Sequence, residues 1–310
     1  MVPFLTDHEP AYGVAVPVTP LVRRVTANNP GKFTGWGTGT YIVGRGAVAV
    51  IDPGPDDPDH VAAVLAAVEG EEVTHLVVTH THRDHSPACR ALQVATGAPS
   101  YGYGRHPATA DDALPDDALP TAGGGQSSAG RDEEPGDLDF VPDVELTDGD
   151  VIATAGFTLE ALHTPGHISN HLCFALREER GLFTGDHVMG WSTTVIPPPD
   201  GNLAQYRSSL ARLLPRDDHV YWPTHGPAVT EPTTYVAALL AHRDHREGQI
   251  LTALASHPQT IPQLVADLYA DVRVELHRAA GRSLLAHLID LAERGRVARG
   301  DDGTWRRLTR

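Results

Sequence analysis

One eight-residue run constrains this 310-residue chain more than any other: Thr79-His80-Thr81-His82-Arg83-Asp84-His85-Ser86. It follows the β-branched stretch Thr74 to Thr79, which places it on a loop at the C-terminal end of a buried strand, where α/β folds carry their chemistry. Imidazoles and a carboxylate at this spacing diverge from one tight turn towards two metal ions. In a chain with 18 His, a bare His-x-His turns up about once by chance, whereas the longer pattern is far rarer. The only cysteines are Cys89 and Cys173, so no thiolate cage or disulfide framework is available and His and Asp must hold any metal. Each divalent ion needs three or more protein ligands, so further ligands must come from elsewhere in the chain. Three candidates sit just beyond predicted strands: His167 in Thr164-Pro165-Gly166-His167, Asp186 in Thr184-Gly185-Asp186-His187, and His225 in Pro223-Thr224-His225-Gly226. Their Gly and Pro neighbours make the sharp turns that aim a side chain into a cleft.

The pattern around these residues predicts a mixed α/β sandwich. Strands are expected at Thr40 to Val43, Ala47 to Ile51, Thr74 to Thr79, Val151 to Leu162, His171 to Leu176, Leu182 to Thr184 and His219 to Trp222. Helices are expected at His60 to Glu69, Ala88 to Thr96 and Leu203 to Leu214. From His242 the texture becomes helical, near His242 to Ser256, Ile261 to Tyr269 and Val274 to Arg294. Two short apolar-containing runs then flank Gly300-Asp301-Asp302-Gly303, a hairpin signal. Three helices and a hairpin describe a winged helix, giving a catalytic domain over 1–241 and a winged-helix domain over 242–310.

The net charge of −16 is uneven. Residues 107–143 carry ten acids against the single base Arg131, and 107–137 reads as an acidic, disordered surface insertion. From residue 242 onward eleven Arg face nine acids. No run of about 18 apolar residues exists, and the first residues lack the basic and apolar regions of a signal peptide, so a cytoplasmic location without membrane contact is expected.

Taken in order from Asp52 in Ile51-Asp52-Pro53-Gly54 through His225, these motifs resemble the metallo-β-lactamase superfamily. The resemblance implies an αββα sandwich in which His80, His82 and His167 bind a first metal and Asp84, His85 and His225 a second. Asp186 would bridge the two, and Asp52 would orient the histidine loop without touching metal. A closer similarity, to the lactamase-beta-like protein 2 subfamily with its C-terminal winged helix, rests on Asn29 to Thr34, Gly37 to Tyr41, His163 to His167, His171, Gly190 to Val195 and Ala279-Ala280. One departure is Gly39, where that subfamily usually has Asn.

The expected cofactors are two divalent ions, zinc first, with iron or manganese as alternatives. Two such ions about 3.5 to 4 Å apart share a water and lower its pKa towards about 7, so a bridging hydroxide is the expected nucleophile, with Asp84 holding it. His171, four residues past His167, is a candidate proton donor to the leaving group. Asp186 stands where true β-lactamases of the superfamily use another arrangement, and His82 where the flavodiiron branch has Glu; both argue against those activities. The leading expectation is hydrolysis of a small ester or acyl-thioester. The alternatives are single-stranded RNA cleavage, which the subfamily implies, a single-iron dioxygenase, and a winged-helix DNA-binding regulator. RNA would need a basic groove from arginines such as Arg273, Arg278 and Arg282, and no aromatic stacking platform is legible. DNA is disfavoured because the third C-terminal helix is long and apolar.

Overall fold

The computed structural model describes residues 2–107 and 136–308. Two sheets are stacked. The first holds β1 (Ala15–Pro17), β2 (Val22–Thr26), β3 (Gly39–Arg45), β4 (Ala47–Ile51), β5 (Glu72–Val77), β6 (Ser100–Gly102) and β7 (Val144–Glu145), paired in chain order. The second holds β8 (Val151–Ala153), β9 (Thr158–His163), β10 (Leu172–Leu176), β11 (Gly181–Gly185) and β12 (Val220–Pro223), also paired in chain order.

Successive side chains of a strand face opposite ways, so a strand covered on both faces must be apolar throughout. Along β3, Tyr41 and Val43 enter the core between the sheets while Ile42 faces outward; along β4, Ala49 and Ile51 separate from Val48 and Val50 in the same way. Phe157, Phe174, Phe183 and Trp222 fill the inter-sheet core from the second sheet. Outside the first sheet lie α1 (Pro58–Ala67) and α2 (Ala88–Thr96), which contribute Val64, Cys89 and Leu92. Outside the second lie α3 (Leu203–Leu213) and α4 (Pro232–Ala253), which pack Tyr206, Leu210, Val236 and Leu239 against Cys173, Leu182 and Tyr221. The expected αββα sandwich is the observed one.

The C-terminal part comprises α5 (Ile261–Leu268), α6 (His277–Glu293) and the hairpin β13 (Val297–Arg299) with β14 (Trp305–Arg307). Thr260 starts α5 with a capping box, its hydroxyl accepting from Gln263 N–H while the Gln263 side chain accepts from the Thr260 backbone. Leu264, Leu284, Leu288 and Trp305 form its core together with Ile250 and Leu254 of the α4 end. A winged helix was expected, and this is its arrangement.

Three expectations need correction, and some strands were not anticipated. The strand expected over Val151 to Leu162 is two strands, because the Thr154 hydroxyl accepts from Gly156 N–H and Phe157 N–H and folds the chain into a hairpin. The helix expected from His242 starts at Pro232, with proline at its first turn, so the boundary expected at 241 falls inside one continuous helix. The helix expected from Val274 starts as a 3₁₀ turn, and α6 proper begins at His277. β2 went unrecognised because Arg23 and Arg24 interrupt its apolar pattern. Most of the expected acidic insertion, 108–135, lies outside the described residues; Gly136 and Asp137 at its end are ordered, Asp137 N–H donating to Thr81 O and Asp137 accepting from the Ser86 hydroxyl.

Candidate metal centre

The parallel pairs β4–β5 and β11–β12 bring their C-terminal ends to one edge of the sandwich. The loops after β4, β5, β9, β11 and β12 carry Asp52, His80 to His85, His167, Asp186 and His225, so residues far apart in the chain meet there. The donor atoms of His80, His82, His167 and Asp186 all lie within 4.8 Å of one another, as do those of Asp84, His85 and His225. In the first group His80 Nε2 and His167 Nε2 lie 3.0 and 3.1 Å from His82 Nδ1. In the second, Asp84 Oδ2 lies 3.4 Å from His85 Nε2 and 3.1 Å from His225 Nε2. Asp186 faces both: Oδ1 is 3.6 Å from His85 Nε2 and 3.4 Å from His225 Nε2, and Oδ2 is 3.9 Å from His167 Nε2.

Buried imidazoles are held by the nitrogen that does not face the site. His85 Nδ1 donates to Asp52 (2.9 Å), His167 Nδ1 to Val195 O (2.7 Å) and His225 Nδ1 to Gly37 O (3.1 Å). His80 Nδ1 donates to the Thr79 hydroxyl, which itself donates to Asp52. Asp52 is fully buried and also accepts from Thr79 N–H and the Thr224 hydroxyl. Its backbone sits at φ 49°, a left-handed conformation costly for a residue with a Cβ, which these hydrogen bonds hold in place.

The residues present fit a pair of cations. His85 Nε2, His225 Nε2 and Asp186 Oδ1 are buried without a hydrogen-bond partner, although a buried polar atom left unpaired is costly. Electrostatics separates the two groups. Burial and the neighbouring imidazoles hold His80 and His82 far below the usual histidine range, so they present neutral lone pairs. Around His85 and His225, burial alone would do the same, but carboxylates outweigh it: Asp84, Asp52 and Asp186 push His85 up to about 10, and Asp186 and Asp84 push His225 up to about 9. The carboxylates there demand positive charge, which protons or a metal can meet.

His171 departs from its expected part. It is fully buried, its Nε2 accepts from Asp186 N–H (3.1 Å), and its Nδ1 therefore carries the proton and donates to the Thr164 hydroxyl (2.9 Å). With both nitrogens engaged behind Asp186, its proton is directed at Thr164, and the ring holds the Asp186 backbone.

Several participants were not foreseen. The Thr38 hydroxyl donates to Asp84 Oδ2 (3.0 Å), and Asn29 grips Thr38 through both its backbone N–H and its hydroxyl. Arg24 donates to Thr224 O and Gly226 O, the carbonyls flanking His225. A Cβ on Gly39 would collide with Arg24 Nε, so glycine leaves the space that the guanidinium crosses. The missing signal was distance: these contacts join residues up to 202 positions apart, and no local pattern announces them. An aromatic group absent from the sequence reading also gathers beside the site, where Trp36 and Trp191 meet edge to face and line a cavity with Lys32 and Arg273.

The sequence model described as the metallo-beta-lactamase superfamily matches residues 35–225, and that of the beta-lactamase associated winged helix domain matches residues 260–305. Among curated proteins, an atrochrysone carboxyl ACP thioesterase of Aspergillus chevalieri is 31% identical over 85% of this chain and 78% of its own length. A second protein of that name, from Claviceps purpurea (strain 20.1), is 30% identical over 86% and 77%. Among solved structures, a beta-lactamase domain protein from Burkholderia ambifaria superposes with a TM-score of 0.79 at 22% identity, covering 97% of this chain and 96% of its own. A metallo-beta-lactamase family protein from Thermus thermophilus gives 0.75 at 22% identity, with 94% and 100% covered.

Proposed function

The chain belongs to the metallo-beta-lactamase superfamily, and on that footing we propose that it is a thioesterase, hydrolysing an acyl thioester at a centre of two divalent ions, zinc foremost. The observation that carries the reading is Asp186 turning one oxygen towards each group of ligands. His80, His82 and His167 would hold one ion and Asp84, His85 and His225 the other, with Asp186 shared between them. The relatives named thioesterases, similar over more than three quarters of this chain, favour a thioester over other acyl substrates.

When bound, the ions would supply Lewis acidity, acidifying water and polarising an acyl carbonyl. The chain supplies the rest. Asp52 fixes the His85 tautomer and, through Thr79, that of His80, so the site-facing nitrogens keep their lone pairs. Thr38 donates to one oxygen of Asp84 and so orients this carboxylate, which is the residue placed to hold and align a water at the edge of the second group. His171 and Thr194 fix Asp186 from behind: His171 accepts its backbone N–H, and the Thr194 hydroxyl donates to its carbonyl. His171, turned towards Thr164 and the Asp186 backbone, is not counted on as a proton donor to the leaving group. A thiolate needs none at neutral pH, since thiols ionise far more readily than alcohols or amines.

Cleavage of single-stranded RNA is the second reading, favoured by Trp36 and Trp191 beside Lys32 and Arg273. Against it, Arg273 is paired with Glu275 (2.8 Å). The DNA-regulator reading is opposed by α6, whose Leu284, Leu288 and Leu291 are buried in the core and whose Ala286 packs towards α3 and α4. A hydrolysis screen across thioesters, oxygen esters, a β-lactam and RNA, run with His82→Ala and Asp186→Ala beside the parent chain, separates these. Thioester turnover lost in both variants is the expected result; RNA cleavage without thioester turnover would replace the proposal with the second reading.

A further inference from the structure

A cavity of about 200 Å³, open to solvent, runs from His167 and Asp186 outward between the sandwich and the C-terminal module. Its walls are mostly apolar. Its outer wall is not part of the αββα sandwich: Tyr269, Val272 and Leu276 come from the segment between α5 and α6, and Ala280 from α6. Opposite stand Phe33 and Trp191.

The charge on this wall is one-sided. Lys32, the chain's single lysine, lines it together with Arg243 and Arg246 of α4, and among the described residues that line it the only acid is Asp186, a proposed metal ligand. In a chain of net charge −16 such a wall is unexpected. The acids on the same helix are committed elsewhere. Asp244 pairs with Arg207 (2.5 Å) and Glu247 with Arg294 (2.7 Å), and no described carboxylate pairs with Arg243 or Arg246. Arg243 is 3% exposed, donates once to Thr194 O, and keeps Nε without a partner. The Arg246 guanidinium carbon sits over the Tyr269 ring, 4.0 Å from its centroid, and the side chain donates to Leu268 O, which holds the guanidinium at the cavity wall. Arg243 is thus a buried cation and Arg246 a half-buried one beside it, with no described carboxylate as counter-ion; such a pair against apolar walls is a preorganised receptor for an oxyanion.

We infer that the substrate is a largely apolar thioester bearing an anionic group away from the scissile carbonyl, and that Arg246, backed by Arg243, receives that group. This rests on the thioesterase reading for the reaction, though the receptor itself does not. The anion could be a carboxylate on the acyl group or a phosphate on the thiol arm; the recognition chemistry is the same.

The test compares kcat/KM for thioesters of a two-ring aromatic acid with and without a second carboxylate. Each is joined to N-acetylcysteamine, which has no phosphate, and to pantetheine 4′-phosphate. A charge-assisted contact predicts a preference of about ten-fold or more for the anion-bearing member of a pair. That preference should collapse towards unity in Arg246→Gln and return in Arg246→Lys. A preference that follows the carboxylate assigns the anion to the acyl group, and one that follows the phosphate assigns it to the arm; either supports the receptor. Equal turnover of charged and neutral members by the parent chain, or an unchanged ratio in Arg246→Gln, overturns it. If no thioester is turned over, the thioesterase reading has failed separately. The receptor is then tested by calorimetric binding of the free mono- and dicarboxylic ring acids, where an equal Kd for the two, or no change in Arg246→Gln, refutes it.

Discussion

At the scale of single residues, the site is specified by groups that would never touch a metal. Asp52 takes four hydrogen bonds from three residues, including one from ligand candidate His85. Asp52→Asn keeps the shape but replaces an acceptor oxygen with a donor and removes the charge. Losses at supporting residues of this kind run to about 10–100-fold in metal affinity. A chelator competition titration should show that loss while far-ultraviolet circular dichroism stays unchanged; unaltered affinity would remove Asp52 from the account. Gly39 makes a second case. Putting back the asparagine usual in the related subfamily would drive a Cβ into Arg24, which holds both carbonyls beside His225. Overpacking of this kind costs about 1–3 kcal/mol, so Gly39→Asn should lower the urea midpoint. An unchanged midpoint would mean that Arg24 does not need its path.

At the scale of elements, α4 joins the two halves. Its first turns give Tyr235, Val236 and Leu239 to the core outside the second sheet, and its last give Ile250, Leu251 and the adjoining Leu254 to the C-terminal core. We therefore expect a chain ended at residue 241 to leave α4 half made, strip Ala286 from the sandwich core, and fail to fold. Dispersed amide resonances from such a fragment would contradict this. How much was legible in advance follows the same division between local and distant. The strands β3, β4, β10 and β11 stand out because burial forces an apolar run, and the ligand candidates stand out because each lies in a Gly-, Pro- or His-marked turn just beyond a strand. The short strands β1, β6 and β7 carry too few buried side chains to leave a pattern. β2 hides Arg24 inside the structure, against its polarity, because two carbonyls about 200 positions away receive it. His171 was misjudged for a related reason: its spacing from His167 is local, but its partner, the Asp186 backbone, is not. The cavity wall drawn from α6 and the segment before it was invisible to a reading that treated the winged helix as a separate unit.

At the scale of the whole molecule, unshared charge governs the response to pH. In the metal-free protein His85 and His225 are raised to about 10 and about 9, so the fold gains stability from their protons. That gain is complete below the unfolded value of about 6.5 and is lost as pH rises through 9 to 10. His187 and His242 act the other way. Burial with neighbouring imidazole lowers His187 to about 3, and burial with Arg243 and Arg246 lowers His242 to about 4. Their contribution is complete above about 6.5 and is lost as pH falls towards 4 and 3. Stability of the chelated protein should therefore peak near pH 6.5 and decline on both sides, read as the urea midpoint across pH 4 to 10; a flat profile would contradict the electrostatics described. Among the described residues no helix is long and apolar enough to cross a membrane.

The central claim is that Asp186 joins two groups of ligands into one hydrolytic centre. Its most direct test is thioester kcat/KM followed against metal bound per chain, as metal is returned to the chelated protein. The account predicts no turnover without metal and full turnover only as the ratio approaches two, with Asp186→Ala inactive throughout. Turnover by the metal-free chain, or full turnover by the Asp186→Ala variant, would contradict it.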